Sequence, residues 1–374
     1  MAGDHDHTTL RAVVLQRICP HYRKQFYTAL THSCSVSFSV AFGSALPGDS
    51  LQSVAPDGIR HLPLENVWLG KSGRWVWQRG AIRLAWDKNI DVLILESDPQ
   101  ILSNLCLCLF GRLLGKKILL WGHGIGSRQT WPVRKLRSWI PRLLHGYIFY
   151  DKLRAREVIS WGLPRRYVFI AANSLDTRTI RRLSHPWEND LRTNIICSGR
   201  LISEKRVGLL LHGFARATAG LPSDVCLTLI GDGPELESLM RLSQELGIHD
   251  RVQFTGKLTE EADLAPFFNS SWVAVSPGYL GLSAVHALAY GVPLLVAEGE
   301  PHSPEIVVFE PGVTGCSFTG NDPDDLAATL VRMWRNQAGL AAMSSRGVQK
   351  IEGEFSIQSM VESFEQAVRS VSTP

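Results

Sequence analysis

The sequence predicts an α/β protein of two doubly wound domains in tandem. Apolar runs of strand length alternate with amphipathic segments of helix length from end to end, which is the pattern of parallel sheets covered by helices. This pattern occurs twice, and 374 residues exceed what one hydrophobic core usually supports. A polar stretch with a proline, residues 184–192, separates the two halves. We therefore expect domains at 1–185 and 186–355, followed by a C-terminal helix at 356–374 that can pack back on the first domain.

The strand predictions follow the apolar runs. They cover residues 12–17, 36–42, 92–96, 117–121, 146–149 and 168–171 in the first half, and 194–198, 226–230, 252–255, 273–275 and 294–297 in the second. Helices are predicted from apolar periodicity at 207–217, 235–246, 322–334, 339–352 and 356–370. Two such domains place the carboxyl ends of both sheets beside one crevice, where ligands of doubly wound sheets usually bind. A central cleft is therefore the expected location of the active site.

The most hydrophobic stretch, residues 101–115, is predicted to be a buried helix. As a helix it extends over about 21 Å, which is short of a hydrocarbon core of roughly 30 Å. It also contains Asn104 and Arg112. No membrane-spanning segment is therefore expected.

Charge is distributed unevenly along the chain. Residues 1–190 hold 26 Lys and Arg against 14 Asp and Glu, whereas residues 191–374 hold 13 against 21. The basic first half indicates an anionic surface or substrate, and a random excess on a solvated surface is the alternative. No nucleic-acid-binding module accompanies this charge, so no nucleic-acid partner is expected.

The seven cysteines are scattered and form no CxxC pair, which argues against a metal site and against a disulfide framework. The first residues lack the basic and apolar regions of a signal peptide. We therefore expect a cytoplasmic protein.

The segment CSGRLISEKRVGLLLHGF predicts a strand that ends at Gly199, a loop with Arg200 and Lys205, and a helix for which Ser203 is the candidate N-cap. Two cations at such a loop suit a diphosphate leaving group, because its developing charge must be stabilised without a proton. Ordinary surface charges are the alternative interpretation.

Two further segments place glycines at the ends of strands. LTLIGDGPELESL has Gly231 and Gly233 at a strand-to-helix turn, and VQFTGKL has Gly256 at the end of its strand. Glycine lets the backbone approach a flat base or a phosphate closely. Simple turns would explain the same residues.

The segment SPGYLGLSAVHALAYGVPLLV is the most informative. Gly278 and Gly281 open a turn, and a helix is predicted over 282–290. Amide groups at the start of that helix can hold phosphate oxygens. His286, one turn further on, is a candidate ligand of a ribose, and a core histidine with its bonds satisfied is the alternative.

The motifs GRLISEK, LIGDGPE, V-x-F-x-G at 252–256, GLSAVHALAYGVP and PEIVVFEPGVTG resemble, in order and spacing, those of family 4 glycosyltransferases. The resemblance is strong over 195–318 and weaker in the first half, where PHYRKQFY, LLWGHG and AANSLD are similar to one branch of the family. It implies a GT-B fold, in which two Rossmann-like domains face a central cleft. The first domain would bind the acceptor and the second a nucleoside diphosphate sugar.

The resemblance also implies roles for single residues. Arg200 and Lys205 would bind the donor diphosphate, the amides of Gly281, Leu282 and Ser283 its distal phosphate, and Glu305 the region near the donor sugar or its phosphates. Gly231, Gly233 and Gly256 would lie beside the donor nucleotide.

One departure concerns the Glu-x7-Glu motif of the family. Gly278 and His286 stand where most members carry glutamates. The first change removes a carboxylate expected near the sugar hydroxyls, and the second gives the ribose an imidazole in place of an anionic acceptor.

On the acceptor side, His123 follows the strand predicted at 117–121 and would lie at the carboxyl edge of the first sheet. The resemblance places a histidine here near the reacting sugar, and a structural turn histidine is the alternative. The glycines around His123 imitate GxGxxG but follow a late strand, which disfavours a dinucleotide oxidoreductase.

Neither a cofactor nor a metal is expected, since the resemblance implies a metal-independent reaction. The residues Asp322 to Asp325 spell Asp-x-Asp, but the simplest role for Asp322 is to cap the following helix.

Segments 68–86 and 131–145 interleave tryptophan with arginine and lysine. Such a surface suits anionic lipid headgroups or a lipid-diphosphate acceptor, and amphipathic helices whose tryptophans fill the core are the alternative.

The sequence thus predicts a retaining glycosyltransferase that uses a glycan or lipid-linked acceptor, peripheral on the cytoplasmic face of a membrane. A catalytically silent subunit that binds nucleotide-sugar and a sugar-nucleotide epimerase remain as alternatives.

Overall fold

The computed structural model describes residues 9–46, 53–54, 58–70, 75–122, 144–160, 164–188 and 192–373. The chain divides into two compact units. The N-terminal unit comprises Met1–Ala172 and Ile357–Pro374, and the C-terminal unit comprises Asn173–Ser356. Each unit is a parallel sheet covered by helices, as the alternating pattern predicts.

The N-terminal unit contains nine strands and four helices within its described residues. The strands are β1 Arg11–Leu15, β2 Ser37–Phe42, β3 His61–Pro63, β4 Glu65–Leu69, β5 Trp75–Arg79, β6 Val92–Glu96, β7 Lys117–Gly122, β8 Gly146–Phe149 and β9 Val168–Ile170. The helices are α1 Lys24–Thr31, α2 Leu102–Leu113, α3 Lys152–Ser160 and the C-terminal helix Ile357–Ser372. Seven strands form a parallel sheet in the order β3-β2-β1-β6-β7-β8-β9, and β4 and β5 form an antiparallel hairpin.

The C-terminal unit contains six strands and seven helices within its described residues. The strands are β10 Asn194–Ser198, β11 Cys226–Ile230, β12 Val252–Gly256, β13 Ser271–Ser276, β14 Leu294–Ala297 and β15 Gly315–Phe318. The helices are α4 Thr177–Leu183, α5 Val207–Ala217, α6 Leu236–Glu245, α7 Glu261–Asn269, α8 Ser283–Ala289, α9 Pro323–Arg335 and α10 Gln337–Glu354. The sheet is parallel throughout, in the order β12-β11-β10-β13-β14-β15.

The boundary between the units lies at 172/173 and not at the predicted 185/186. The reason is α4, which packs against α7 and α8 and so belongs with the C-terminal sheet. The C-terminal helix, named α11, packs against α1, β8 and β9 of the N-terminal unit. Its Phe364 is fully buried and meets Trp121 and Phe26 at ring-centroid distances of 4.9 and 5.2 Å. Aromatic burial of this kind holds the last helix on the first sheet.

The predicted buried helix at 101–115 is wrong in one respect. One face of α2 is buried, with Leu107 fully enclosed, but the opposite face is open. The exposed fractions of Leu105, Leu109 and Leu113 are 55%, 49% and 73%. Apolar composition alone does not show whether a second partner covers the outer face. Across the described ranges, no helix is long and apolar enough to cross a membrane.

The helix after β10 begins later than the sequence predicts. Ser203–Lys205 is a 3₁₀ turn, and Arg206 follows in the left-handed region at φ 51° before α5 starts at Val207. Ser203 is therefore not the N-cap of α5. The Arg206 guanidinium forms an ion pair with Glu300 at 2.7 Å and bonds to the side chain of Asn321. These contacts stabilise a backbone conformation that is unfavourable for arginine.

Candidate functional site

The two predicted phosphate-binding cations, Arg200 and Lys205, follow β10 and differ in their environment. Lys205 Nζ donates to the carbonyl oxygen of Tyr279 at 2.7 Å, so it already lies against the turn that follows β13. Burial lowers the pKa of Lys205, while Cys197 and Glu305 oppose that effect. The Arg200 side chain is exposed and forms no hydrogen bond or ion pair with another described residue. One cation is thus held in place and the other is open to a ligand.

Gly231 and Gly233 are required by contacts within the protein. A Cβ on Gly231 would lie 1.8 Å from the carbonyl oxygen of Gly199, and one on Gly233 would lie 2.3 Å from that of Leu201. Their φ angles, 142° and 158°, also favour glycine. The loops after β10 and β11 therefore pack backbone to backbone. Their predicted approach to a base or phosphate stays a prediction.

Gly256 ends β12 in the left-handed region, at φ 71°. Its carbonyl oxygen accepts a hydrogen bond from the Gly231 amide at 2.9 Å, and a Cβ here would meet nothing within 4 Å. The left-handed φ angle, and not a lack of space for a side chain, accounts for the glycine at 256. Its predicted position beside the nucleobase stays a prediction.

Gly278 packs against the backbone of the Lys205 loop. A Cβ at this position would lie 2.3 Å from the carbonyl oxygen of Glu204, which also accepts the Tyr279 amide at 2.8 Å. The structure therefore has no room for a glutamate side chain at 278. At Gly281 the nearest atom to an added Cβ is Ser303 Oγ at 3.8 Å, so packing places no such restriction there.

Glu305 is a buried carboxylate that organises the same turn. It accepts hydrogen bonds from Asn173 Nδ2 at 2.5 Å and from the hydroxyl of Ser303. The Ser303 amide donates to the carbonyl oxygen of Leu280 at 3.0 Å, and the Leu280 amide donates to His302 Nδ1 at 3.2 Å. Burial lowers the pKa of His302, which agrees with a neutral ring that accepts at Nδ1. The loop from 302 to 305 therefore fixes the turn that leads into Gly281, Leu282 and Ser283.

His286 lies on α8 and is largely buried, with 12% of its side chain exposed. Its Nε2 is 2.8 Å from Glu261 Oε1, and the Tyr290 hydroxyl donates to the same oxygen at 2.7 Å. Phe268 packs edge-on against the His286 ring at 4.4 Å. The structure thus shows the histidine with its bond satisfied, which was the alternative to a ribose ligand.

Glu261 is the site residue that sequence reasoning missed. It begins α7, and no spacing pattern connects it with a histidine 25 positions further on. Burial raises the pKa of its carboxyl, but the hydrogen bonds from His286 and Tyr290 and the charge of His286 outweigh this and lower the pKa. Glu261 is therefore ionised at neutral pH.

Two other predictions, for His123 and Asp322, have different outcomes. His123 lies outside the described residues. Asp322 caps α9 as predicted, since its side chain accepts from the amides of Asp324 and Asp325 at 2.9 and 3.0 Å. Among the described residues, no group of three His, Cys, Asp or Glu side chains is arranged to hold a metal ion.

The predicted helical alternative for residues 68–86 is wrong in its secondary structure. The described residues of the segment, 68–70 and 75–86, include the end of β4, β5 and a 3₁₀ helix at Ala81–Ala85. Trp75 and Trp86 are 42% and 54% exposed, so these tryptophans do not fill the core. Most of the second segment, 131–145, lies outside the described residues.

The two parallel-sheet units define a GT-B fold. A crystal structure of HepE from Anabaena in complex with UDP superposes with a TM-score of 0.71, covering 97% of this chain and 100% of that one at 16% identity. Residues 192–336 match the family Glycosyl transferases group 1. The matched residues include the Lys205 loop and the turn before α8.

Two curated relatives are similar to this chain in sequence, over different shares of its length. A GDP-mannose-dependent phosphatidylinositol monomannoside mannosyltransferase of Mycolicibacterium smegmatis is 28% identical over 165 residues, 42% of each chain. A monoacylated phosphatidylinositol monomannoside mannosyltransferase of Corynebacterium glutamicum is 27% identical over 337 residues, 85% of this chain and 79% of that one. The chain spans about two fifths of the length of the curated relatives that it matches first.

Proposed function

We propose that this chain transfers a sugar from a nucleoside diphosphate sugar to a glycan or lipid-linked acceptor. The observation that carries the proposal is the partly buried Lys205 ammonium, which is held against the turn before α8 while the Arg200 side chain stays open beside the same loop. A cation that is partly desolvated acts strongly on a nearby anion. A diphosphate bound there is the chemical species that needs two such cations.

Breaking the bond between a sugar and its diphosphate leaves negative charge on the phosphate oxygens. In this proposal Lys205 and Arg200 would stabilise that charge as it develops, without a proton donor and without a metal. Glu305 is assigned a positioning role, because its bonds to Ser303 and Asn173 order the turn that meets the phosphates. Retention of configuration is part of the proposal and is supported by the resemblance to family 4 enzymes.

Lys205→Ala should lower kcat/KM about ten- to a hundredfold, since a charge-assisted phosphate contact contributes roughly 1.5–3 kcal/mol. Arg200→Ala should have an effect of similar size. The measurement is donor turnover with a panel of UDP-, GDP- and dTDP-sugars and lipid-linked acceptors. Arg241→Ala is the control, because this exposed cation on α6 pairs, among the described residues, with Glu237 alone, at 4.0 Å. Near-wild-type kinetics in both site variants would refute the phosphate assignment.

A nucleotide-sugar-binding subunit without catalysis is the second candidate function. The packing of Gly278 against Glu204 favours it, since no carboxylate at 278 can reach a sugar hydroxyl. Measurable affinity for the donor with no turnover on any acceptor would select this candidate. Conversion of the donor in the absence of an acceptor would instead identify an epimerase.

The open face of α2 supports a location at a membrane surface. Leu105, Leu109 and Leu113 lie four residues apart on one side of the helix, and the Phe110 ring packs at a tilt against the exposed Trp86 at 5.6 Å between ring centroids. Leucines on one face of a helix, with a tryptophan beside the helix, suit insertion at the level of lipid headgroups. The basic excess of residues 1–190 would add attraction to anionic lipids. A lipid-linked acceptor would then be met at the surface where it resides.

The double variant Leu109→Gln, Leu113→Gln should bind anionic vesicles at least about tenfold more weakly than the unmodified protein, because two apolar side chains are lost from the inserted face. Sedimentation with vesicles of phosphatidylglycerol and phosphatidylcholine measures this, and added salt should weaken binding of the unmodified protein. Leu153→Gln is the matched control, since Leu153 is 68% exposed on α3. Equal binding to neutral and anionic vesicles would show that the basic charge does not contribute to binding. Unchanged binding of the double variant would show that the open face of α2 does not insert.

A further inference from the structure

Glu261 connects two helices of the C-terminal unit through one of its oxygens. Oε1 receives both hydrogen bonds, from His286 on α8 and from Tyr290, which caps the C-terminal end of that helix. Phe268 stacks with the Tyr290 ring at 5.0 Å and an interplanar angle of 12°, and it also packs on His286. Three side chains therefore fix the orientation of a single carboxylate.

The second oxygen of Glu261, Oε2, has no hydrogen-bond donor among the described residues. The side chain is 25% exposed, so the group is neither fully hydrated nor fully enclosed. A partly buried carboxylate gains from a further donor, because its remaining lone pairs are otherwise poorly solvated. A ligand hydroxyl is a donor of the right kind, and its bond to an anion is charge-assisted.

The place of Glu261 in the fold suggests which hydroxyl this is. His286, its partner, rises only about 4.5 Å along α8 from Ser283, and the turn before Ser283 carries the Tyr279 carbonyl that holds Lys205. In a nucleotide the ribose is bonded directly to the first phosphate. A diphosphate at Lys205 and this turn would therefore bring its ribose within a few ångströms of the His286 and Glu261 pair.

We propose that Glu261 accepts hydrogen bonds from the ribose hydroxyls of the donor nucleotide through Oε2, with His286 and Tyr290 as positioning residues. This inference rests on the proposed function, since it needs a nucleoside diphosphate in the site. It gives position 286 a role that differs from direct contact with the ligand. The chain supplies its ribose-binding carboxylate from α7, and the histidine on α8 orients it.

The test compares ribonucleoside and 2′-deoxyribonucleoside diphosphates by calorimetry, using UDP with dUDP and GDP with dGDP. The unmodified protein should bind the ribose form of its preferred base about 10- to 100-fold more tightly. Glu261→Gln should remove that preference by weakening the ribose form alone. Glu260→Gln is the matched control, because Glu260 is the exposed neighbour of Glu261.

Two variants at 286 test the positioning role. His286→Ala should reduce the preference for ribose, whereas His286→Gln should keep most of it, because a glutamine amide can still donate to Glu261. A role in stability alone would not separate these variants by their sugar preference. The affinity for the deoxy form serves as an internal check on folding, since a variant that fails to fold loses both forms.

The outcomes distinguish failure of this inference from failure of the proposed function. If the unmodified protein binds none of the four nucleotides and no nucleoside diphosphate sugar, the proposed function itself is wrong. If it binds the ribose and deoxyribose forms equally, or if Glu261→Gln keeps the preference, Glu261 does not bind the ribose and the inference is overturned.

Discussion

Gly278→Ala should destabilise the C-terminal unit by about 1–3 kcal/mol, the usual cost of adding volume where none is available. The added Cβ would lie 2.3 Å from the carbonyl oxygen of Glu204 and 2.9 Å from the carbonyl carbon of Lys205. Both atoms belong to the backbone, so they cannot rotate away as a flexible side chain would. Gly278→Glu, which restores the carboxylate found in most family 4 enzymes, should cost more than alanine and should displace Lys205 from Tyr279.

The measurements are chemical denaturation for stability and donor affinity for function. We expect Gly278→Glu to bind the donor at least about tenfold more weakly, since it removes the placement of one charge-assisted contact. For the stability measurement, Gly281→Ala is the matched control in the same turn, because a Cβ there has 3.8 Å to its nearest neighbour. A Gly278→Glu protein that is as stable as the unmodified one and more active would show that the loop moves easily and that only the carboxylate was missing.

The two positions that depart from Glu-x7-Glu, 278 and 286, have different surroundings. At 278 the loss of the carboxylate is accompanied by closer packing of the Lys205 loop, as the bond from the Tyr279 amide to Glu204 shows. At 286 the loss is accompanied by a carboxylate from another helix, Glu261. The two positions therefore differ. At 278 the Lys205 loop packs where the carboxylate would lie, and at 286 the carboxylate of Glu261 lies next to the histidine.

The parts of the fold that the sequence predicts well are the buried central strands. The bounds of β6, β8, β10, β11 and β14 and of helix α5 agree with their predictions to the residue. These strands are enclosed on both faces, so nearly every side chain in them is apolar and the run has sharp ends. The strands that were missed, β3, β4, β5 and β15, are short and only partly buried, and β4 and β5 carry charged or polar residues such as Glu65 and Gln78.

The candidate site is predictable to a different degree. Arg200, Lys205 and the glycine turn follow from their position after parallel strands, because the carboxyl ends of such strands are where ligands bind. The pair of Glu261 and His286 does not follow, since it joins side chains from two helices across the fold. The reason for Gly231 and Gly233 is also a tertiary one, namely two loops in backbone contact. A sequence shows which residues lie at an edge and leaves open which of them touch.

Gly231→Ala should have the largest effect on stability. The added Cβ would lie 1.8 Å from the Gly199 carbonyl oxygen, and the residue would be forced to keep a φ of 142° that suits only glycine. Strain of about 1–3 kcal/mol and overpacking of about 1–3 kcal/mol together give about 2–6 kcal/mol. For a unit of this size the midpoint of thermal unfolding should fall by about 4–24 °C.

Gly256→Ala separates the two contributions. Gly256 is also left-handed, at φ 71°, but a Cβ there meets nothing within 4 Å. Only the conformational term of about 1–2 kcal/mol should remain. Calorimetric scans of both variants measure the difference, which is the cost of separating the loops after β10 and β11. If Gly231→Ala and Gly256→Ala lose the same stability, separating the loops after β10 and β11 costs no measurable free energy. The Arg200 loop would then lack the rigid support that a phosphate-binding role requires.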